Sequence, residues 1–296
     1  MSGQATIERR RAVLALACAV VAGAAVRPAT AATTVVATIF PVADIVRQLG
    51  GANVAVHTLL PGGANPHTFE PTPQQLHVLA GAQLIVRVGA GLDDWLFNLL
   101  QSAGSRARVV KITDGLDLLG PADSSHGDPH VWLDPILVRD HVAPALARAL
   151  GDVDARNRAT YEKRAAEFAA ELTRLDGEIG SALRAVPRRG FVAVHPAWRY
   201  FARRYGLEEV AVIEESPGKE PSAQSIARIV ERARAGHVRA VLTEPQFTER
   251  TAAVIAGEIG AAVVVVDPIG GAQVSGRDSY LALMRYNLAA FLKALS

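Results

Sequence analysis

The chain has 296 residues, half of them apolar and only 5% aromatic, with a formal charge of +2. Residues 1–31 hold four Arg and one Glu, so a mature chain without them falls to −1, which excludes the basic balance of a nucleic-acid binder. The one cysteine, Cys18, lies in the same stretch; without it there is no disulfide, thiolate zinc site or cysteine nucleophile, and any metal must be held by His, Asp or Glu.

Residues 1–31 read as an export signal. Arg9-Arg10-Arg11 is a basic start, Ala12 to Val26 is an apolar run too short for a comfortable membrane span, and Ala29-Thr30-Ala31 offers a small-residue cleavage site. The paired arginines weakly resemble a twin-arginine signal, and Cys18 is a poor lipidation site because Ala15 stands three residues before it. Simple cleavage after Ala31 and a periplasmic or other extracytoplasmic location are the expectation.

From Thr34 onward short apolar runs alternate with helical patterns. Val35–Ile39, Val54–Leu60, Leu84–Val88 and Val109–Ile112 read as strands, with helices over Pro41–Leu49, from Thr72 through Ala80, over Asp93–Gln101 and over Pro135–Leu150. Thr72-Pro73-Gln74-Gln75 is a capping box, and Asp134-Pro135 is an N-cap followed by proline at the first helical position. From Asp154 to about Arg184 there is no proline, and Tyr161, Ala165, Phe168, Leu172, Leu175, Ile179 and Ala182 fall on one face. That helix would span about 45 Å, enough for a strut between two lobes. Beyond it, strands at Phe191–Val194, Val210–Ile213, Ala240–Leu242 and Ala262–Val266 alternate with helices near Ala197–Tyr205, Ser222–Ala235 and Glu249–Ile259, and a last helix runs from Ser279 to Leu295. The reading is α/β, with two lobes, each a mostly parallel sheet wrapped by helices, joined by one long backbone helix. The expected divisions are a signal at 1–31, an N-terminal lobe at 33–150, the linking helix at 151–186 and a C-terminal lobe at 187–296.

Of eight histidines, His57, His77, His141 and His237 sit within or at the ends of regular elements and read as structural or surface groups, and His126 lies in a short polar loop. His67 leaves a strand through the turn-rich Pro61-Gly62-Gly63-Ala64-Asn65-Pro66. His130 sits between Pro129 and Val131-Trp132, ahead of the helix start at Asp134, while His195 and Asp267 each close a strand and precede a proline. Carboxyl ends of parallel strands are where open α/β sheets bind ligands. Two lobes facing across a cleft would converge His67 and His130 with His195 and Asp267, a four-ligand set that suits tetrahedral Zn²⁺ better than Mn²⁺. Spacing alone also admits three unrelated histidines and a helix-capping aspartate.

The segments PGGANPHTFEPTP from Pro61, DPHVWLDP from Asp128, HPAWRYFARRYGL from His195, EPQF from Glu244, DPIG from Asp267 and MRYN from Met284 carry a resemblance over essentially the whole mature chain. The chain resembles the extracytoplasmic solute-binding proteins of ABC-type zinc and manganese importers. The resemblance implies two α/β lobes on one long helix and a metal held between them by His67, His130, His195 and Asp267. It also implies that histidine at the third position goes with zinc, where glutamate goes with manganese. One departure is the segment Leu119 to Asp128, which is short and holds only His126 where many zinc members carry a long loop rich in histidine and acid.

The function expected is a zinc receptor that captures Zn²⁺ outside the cytoplasmic membrane and delivers it to an ABC permease, with the ATPase an indirect partner. Zn²⁺ is cargo, no reaction is catalysed, no nucleic acid is bound, and a monomer is expected. The alternatives are a Mn²⁺ or Fe²⁺ receptor of the same type and a zinc hydrolase. No HExxH occurs, and Glu70 and Glu244 are the acids near the motifs that could support a ligand or serve as a base.

Overall fold

Among the described residues, runs rich in Val, Ile, Leu and Ala form eight short strands in two parallel sheets; the central strands are buried on both faces, as expected of strands covered by helices, while the edge strands carry exposed residues such as His57 and Lys111. The computed structural model of the chain describes residues 31–120, 126–215 and 218–296. Cys18 and the export signal expected over residues 1–31 lie outside the described residues, apart from Ala31.

The first sheet contains β1 (Thr33–Ala37), β2 (Val54–Thr58), β3 (Leu84–Arg87) and β4 (Arg108–Lys111) in the order β2-β1-β3-β4. The second contains β5 (Gly190–Ala193), β6 (Glu208–Val212), β7 (Ala240–Thr243) and β8 (Ala262–Val265) in the order β6-β5-β7-β8. Every pairing is parallel, so all carboxyl ends within a sheet lie at one edge. In each sheet the chain reverses its order beside a central pair, β1 and β3 in one and β5 and β7 in the other.

Helices α1 (Phe40–Gly50), α2 (Pro73–Ala80) and α3 (Leu96–Ala103) follow the first three strands. The expected capping box at Thr72 is formed, with Gln75 reciprocating. Helix α3 starts three residues later than the sequence pattern suggests, because the side chain of Asp93 turns inward to bond Val88 N, Gly89 N, Thr38 Oγ1 and Arg87 Nε. Asp134 caps α4 (Pro135–Leu137) by accepting from Ile136 N and Leu137 N, as expected. The expected helix over Pro135–Leu150 then passes through a π turn at Val138–Val142 into α5 (Ala143–Val153). Pro144 lies at the start of α5 and lacks the N–H that an unbroken α-helix requires, and the π turn absorbs the mismatch.

The long helix, α6, spans Arg158–Arg184 after a short 3₁₀ turn at Ala155–Asn157. Its buried face is Tyr161, Phe168, Leu172, Leu175, Ile179 and Leu183, the predicted stripe except that Ala165 is only half-buried and Leu183 rather than Ala182 ends it. Helices α7 (Arg199–Tyr205), α8 (Ala223–Ala235), α9 (Glu249–Ile259) and α10 (Tyr280–Leu295) cover the second sheet. The expected architecture of two parallel sheets wrapped by helices with one long helix is therefore the observed one.

One apolar core continues from Val35, Ala37 and Val86 through Tyr161, Phe168 and Leu172 of α6 to Phe191, Ala193 and Leu242. Smaller clusters lie between the first sheet and α2–α3, around Val36, Leu79 and Ile85, and between the second sheet and α8–α9, around Val192, Val241 and Ile255. Polar bonds stitch the halves. Tyr280 N donates to Asp44 Oδ2 at 2.8 Å, Tyr280 Oη to Trp132 O at 2.8 Å, and Trp132 Nε1 to Pro268 O at 2.8 Å.

Candidate metal centre

The loop after β2 delivers His67. Asn65 Oδ1 accepts the His67 backbone N–H at 2.9 Å, and Trp95 Nε1 donates to Pro66 O at 3.2 Å while its ring packs edge-on against Phe69. A loop of prolines and glycines is thereby fixed at its working end. The loop after β4 delivers His130, which is 3% exposed. Pro129 precedes it, the 3₁₀ turn Val131–Leu133 follows, and the fully buried Trp132 anchors the turn. His195 lies just beyond β5 and is also 3% exposed.

The structure brings these three histidines together. Their ligating nitrogens all lie within 4.8 Å of one another, and the ring centroids are 4.9–5.5 Å apart. His130 Nδ1 meets Asp128 Oδ1 at 2.7 Å, and His195 Nδ1 meets the Glu244 carboxylate at 3.0–3.1 Å. A carboxylate only accepts, so each Nδ1 carries the proton and each Nε2 presents a lone pair. Those two Nε2 atoms face each other at 3.2 Å, and His67 Nε2 is buried with no hydrogen-bond partner. Two nitrogens bound at about 2.0–2.1 Å to one tetrahedral zinc would be roughly 3.3 Å apart. Converging lone pairs at such spacing can hold a cation.

Trp198 Nε1 holds the Glu244 carboxylate by donating to Oε1 at 3.2 Å, whereas Asp128 is fixed through its backbone carbonyl, which accepts from Tyr200 Oη at 3.0 Å, and through Oδ1, which also accepts from His130 N. Phe247 stacks on the His195 ring at 5.2 Å. His195 follows β5 and Glu244 follows β7, the two strands that flank the order reversal of the second sheet, so the His195–Glu244 pair occupies that sheet's ligand-binding crevice.

The other expected site residues are placed differently. Asp267, beyond β8, is 3% exposed and lies outside the gathered group. Its Oδ1 accepts from Ile269 N and Gly270 N at 3.0 Å and from Gln246 Nε2 at 3.3 Å, and its Oδ2 takes Arg277 Nη1 at 2.8 Å. Gly270 is required in this turn, since its φ is +65° and a Cβ would stand 2.6 Å from Arg277 O. Glu70 is exposed and makes no hydrogen bond or ion pair among the described residues. His57, His77 and His237 are exposed, His141 bonds Asp114 O, and none of them joins the group. His126 is 54% exposed and stands 4.0 Å from Asp94 Oδ2. With Glu215 and Arg199 it lines a cavity of about 180 Å³ that meets the three gathered histidines. The sequence reading missed Asp128, although an acid two residues before the histidine in Asp128-Pro129-His130 is a usable signal, and it missed Gln246 and Phe247 altogether.

Burial and the two neighbouring imidazoles push the His67 pKa down from 6.5 to about 2, and burial likewise lowers that of His130 against the opposing pull of Asp128. Below pH 6.5 the unfolded chain therefore takes up protons that the folded site refuses, and folding stability falls with pH. For His67 alone the loss between pH 7 and pH 5 is about 2 kcal/mol. Asp44, Asp134 and Glu209, whose values are raised by burial, act in the opposite sense by taking up protons in the folded state first. Urea denaturation of metal-free protein across this range is expected to show the decline, and His67→Gln is expected to flatten it. Parallel curves for both proteins would show that His67 titrates as in water.

A match to the family described as ZnuA, Zinc-uptake complex component A periplasmic, covers residues 35–294. The High-affinity zinc uptake system protein ZnuA of Bacillus subtilis (strain 168) is 30% identical over 278 residues, which are 88% of this chain and 87% of that one. The Manganese-binding lipoprotein MntA of Halalkalibacterium halodurans is 27% identical over 258 residues, 86% of this chain and 85% of its own. Among solved structures, a ZnuA deletion mutant with zinc bound superposes with a TM-score of 0.80 at 34% identity, covering 90% of this chain and 98% of that chain.

Proposed function

Because the chain belongs to the ZnuA family of periplasmic zinc-uptake components, we propose that it is the receptor that captures Zn²⁺ outside the cytoplasmic membrane and hands it to an ABC importer. The observation that carries the reading is the convergence of His67, His130 and His195 on one buried point, with two of the imidazoles oriented by carboxylates. Imidazole nitrogen suits the borderline Zn²⁺, and a carboxylate on the far nitrogen raises the basicity of the ligand. Zn²⁺ is the cargo. The family is one of metal-binding transport components and not of enzymes, which sets the hydrolase reading aside.

The partner is the membrane permease of the importer, with its ATPase engaged through it, and the receptor works as a monomer. An export signal at residues 1–31 places it outside the cytoplasm; no helix among the described residues is long and apolar enough to cross a membrane. The manganese alternative draws support from the likeness to a manganese-binding lipoprotein, but the third imidazole argues for zinc.

Elemental analysis of protein purified without added metal, followed by competition titration, tests the reading. Zinc at one equivalent per chain is expected, and no bound metal together with no measurable zinc affinity would end it. The same titration measures selectivity. His195→Glu replaces nitrogen by hard oxygens and should lower the zinc-over-manganese ratio by at least about tenfold, roughly 1.4 kcal/mol. An unchanged ratio would remove His195 from the ligand set.

A further inference from the structure

Three imidazoles leave a tetrahedral ion one ligand short, and the cavity they line holds only about 10 Å³. The wider cavity of about 180 Å³ also meets these histidines and has room for a water; within the small cavity the candidates for a fourth donor are the protein's own groups. The polar groups around the cavity can be taken in turn. Asn65 Oδ1 is engaged by His67 N, both Glu244 oxygens face His195 Nδ1, and Pro268 O accepts from Trp132 Nε1. Asp267 does not line the cavity, and its two oxygens already accept four hydrogen bonds.

Gln246 remains. It lines the cavity, and its Oε1 is buried with no hydrogen-bond partner, a condition shared among the lining residues only by His67 Nε2. The orientation of the amide is not arbitrary. Its other end faces the Asp267 carboxylate at 3.3 Å, and since a carboxylate only accepts, the NH₂ must point there and the carbonyl oxygen away from it. Arg277 and the turn amides hold Asp267, Asp267 holds the amide NH₂, and the amide oxygen is left for the ion.

We propose that Gln246 is the fourth zinc ligand through Oε1, and that Asp267 is a positioning residue that fixes the amide rather than a ligand. The inference rests on the zinc reading above. A neutral amide oxygen is a weaker donor than a carboxylate, which suits an ion that must later be surrendered.

Zinc dissociation constants by chelator competition, and the visible absorption of the Co²⁺-loaded protein, should be measured for the wild type, Gln246→Ala, Gln246→Glu, Asp267→Asn and His195→Ala. Loss of a supporting partner alone typically weakens a metal site about 10–100-fold, so Gln246→Ala should weaken zinc at least about tenfold and shift the Co²⁺ bands. Gln246→Glu keeps an oxygen donor but sets a second carboxylate beside Asp267, so it should hold zinc better than Gln246→Ala and more weakly than the wild type, with its own altered Co²⁺ spectrum, which a merely structural role would not produce. Asp267→Asn should weaken binding but keep the wild-type Co²⁺ spectrum. Wild-type affinity and spectrum in Gln246→Ala would overturn the proposal, as would a spectrum that changes only in Asp267→Asn. If instead the wild type fails to bind zinc, or His195→Ala binds it as well as the wild type does, the zinc reading itself has failed.

Discussion

Saturating zinc should raise the unfolding free energy of the metal-free protein by about 4 kcal/mol when the free ion stands roughly a thousandfold above its dissociation constant. The size follows from where the ligands lie. His67 is on the loop after β2, His130 on the loop after β4 and His195 beyond β5, the last two 65 positions apart. In the unfolded chain no two of them are near neighbours, so that state binds the ion weakly and nearly the whole binding free energy appears as stability. For a chain of this size 4 kcal/mol corresponds to a rise in melting temperature of roughly 10 °C. Calorimetry with zinc, with chelator and with zinc restored measures it, and His195→Ala should lose most of the increment. A melting temperature indifferent to zinc and chelator would mean that the three histidines do not share an ion.

A second large effect is expected at a side chain that bonds none of the three histidines. Asp93 is fully buried at the carboxyl ends of β1 and β3, where the first sheet reverses its order. It accepts from Thr38 Oγ1 at 2.7 Å, Val88 N at 2.6 Å, Gly89 N at 3.0 Å and Arg87 Nε at 3.0 Å. Arg87 is itself 2% exposed and lies over the Phe97 ring. The crevice that would ordinarily take a ligand is thus filled by the protein's own ion pair, and the first lobe offers its histidines from loops beyond β2 and β4 instead. Removing one partner of a buried pair costs about 3–5 kcal/mol, and because Arg87 keeps its contact with the half-exposed Asp94 the lower end of that range applies. Asp93→Ala should lose that much in urea denaturation of the metal-free protein, and Asp93→Asn, which keeps one acceptor oxygen, should lose less. The folded fraction of either variant should bind zinc nearly as the wild type does. A loss below 1 kcal/mol would show that Arg87 finds water or another acid, with Asp94 at 2.5 Å the first candidate.

The strands and helices were legible because they are built from local patterns. Val263-Val264-Val265-Val266, the Thr72 capping box and the apolar stripe of α6 declare themselves within a few residues. Boundaries went astray where a side chain was claimed by something distant, as when Asp93 serves Arg87 and Thr38 instead of capping α3, or where Pro144 forces a π turn inside an expected α-helix. The three histidines were legible as groups at loop and strand ends. The support behind them was legible only in part. Glu244 could be named because it sits in a motif, but its bond to His195 crosses 49 residues. Asp267 was expected as a ligand from its place at a strand end and from the family resemblance. Its engagement by Arg277, ten residues on and across a glycine turn, has no periodic signature.

The carboxylates behind His130 and His195 also set a charge stoichiometry. Asp128 and Glu244 are each at most 3% exposed in their side chains, and each touches an imidazole that remains neutral when it binds an ion. Asp267 is cancelled by Arg277 and adds nothing to the sum. The protein therefore encloses two negative charges around a point that a doubly positive ion would neutralise. In a poorly hydrated interior a residual unit charge is expensive. A monovalent ion would leave one negative charge uncompensated and a trivalent ion one positive charge in excess. The imidazoles choose among the divalent ions, and the buried acids behind them restrict the choice to divalent ions in the first place.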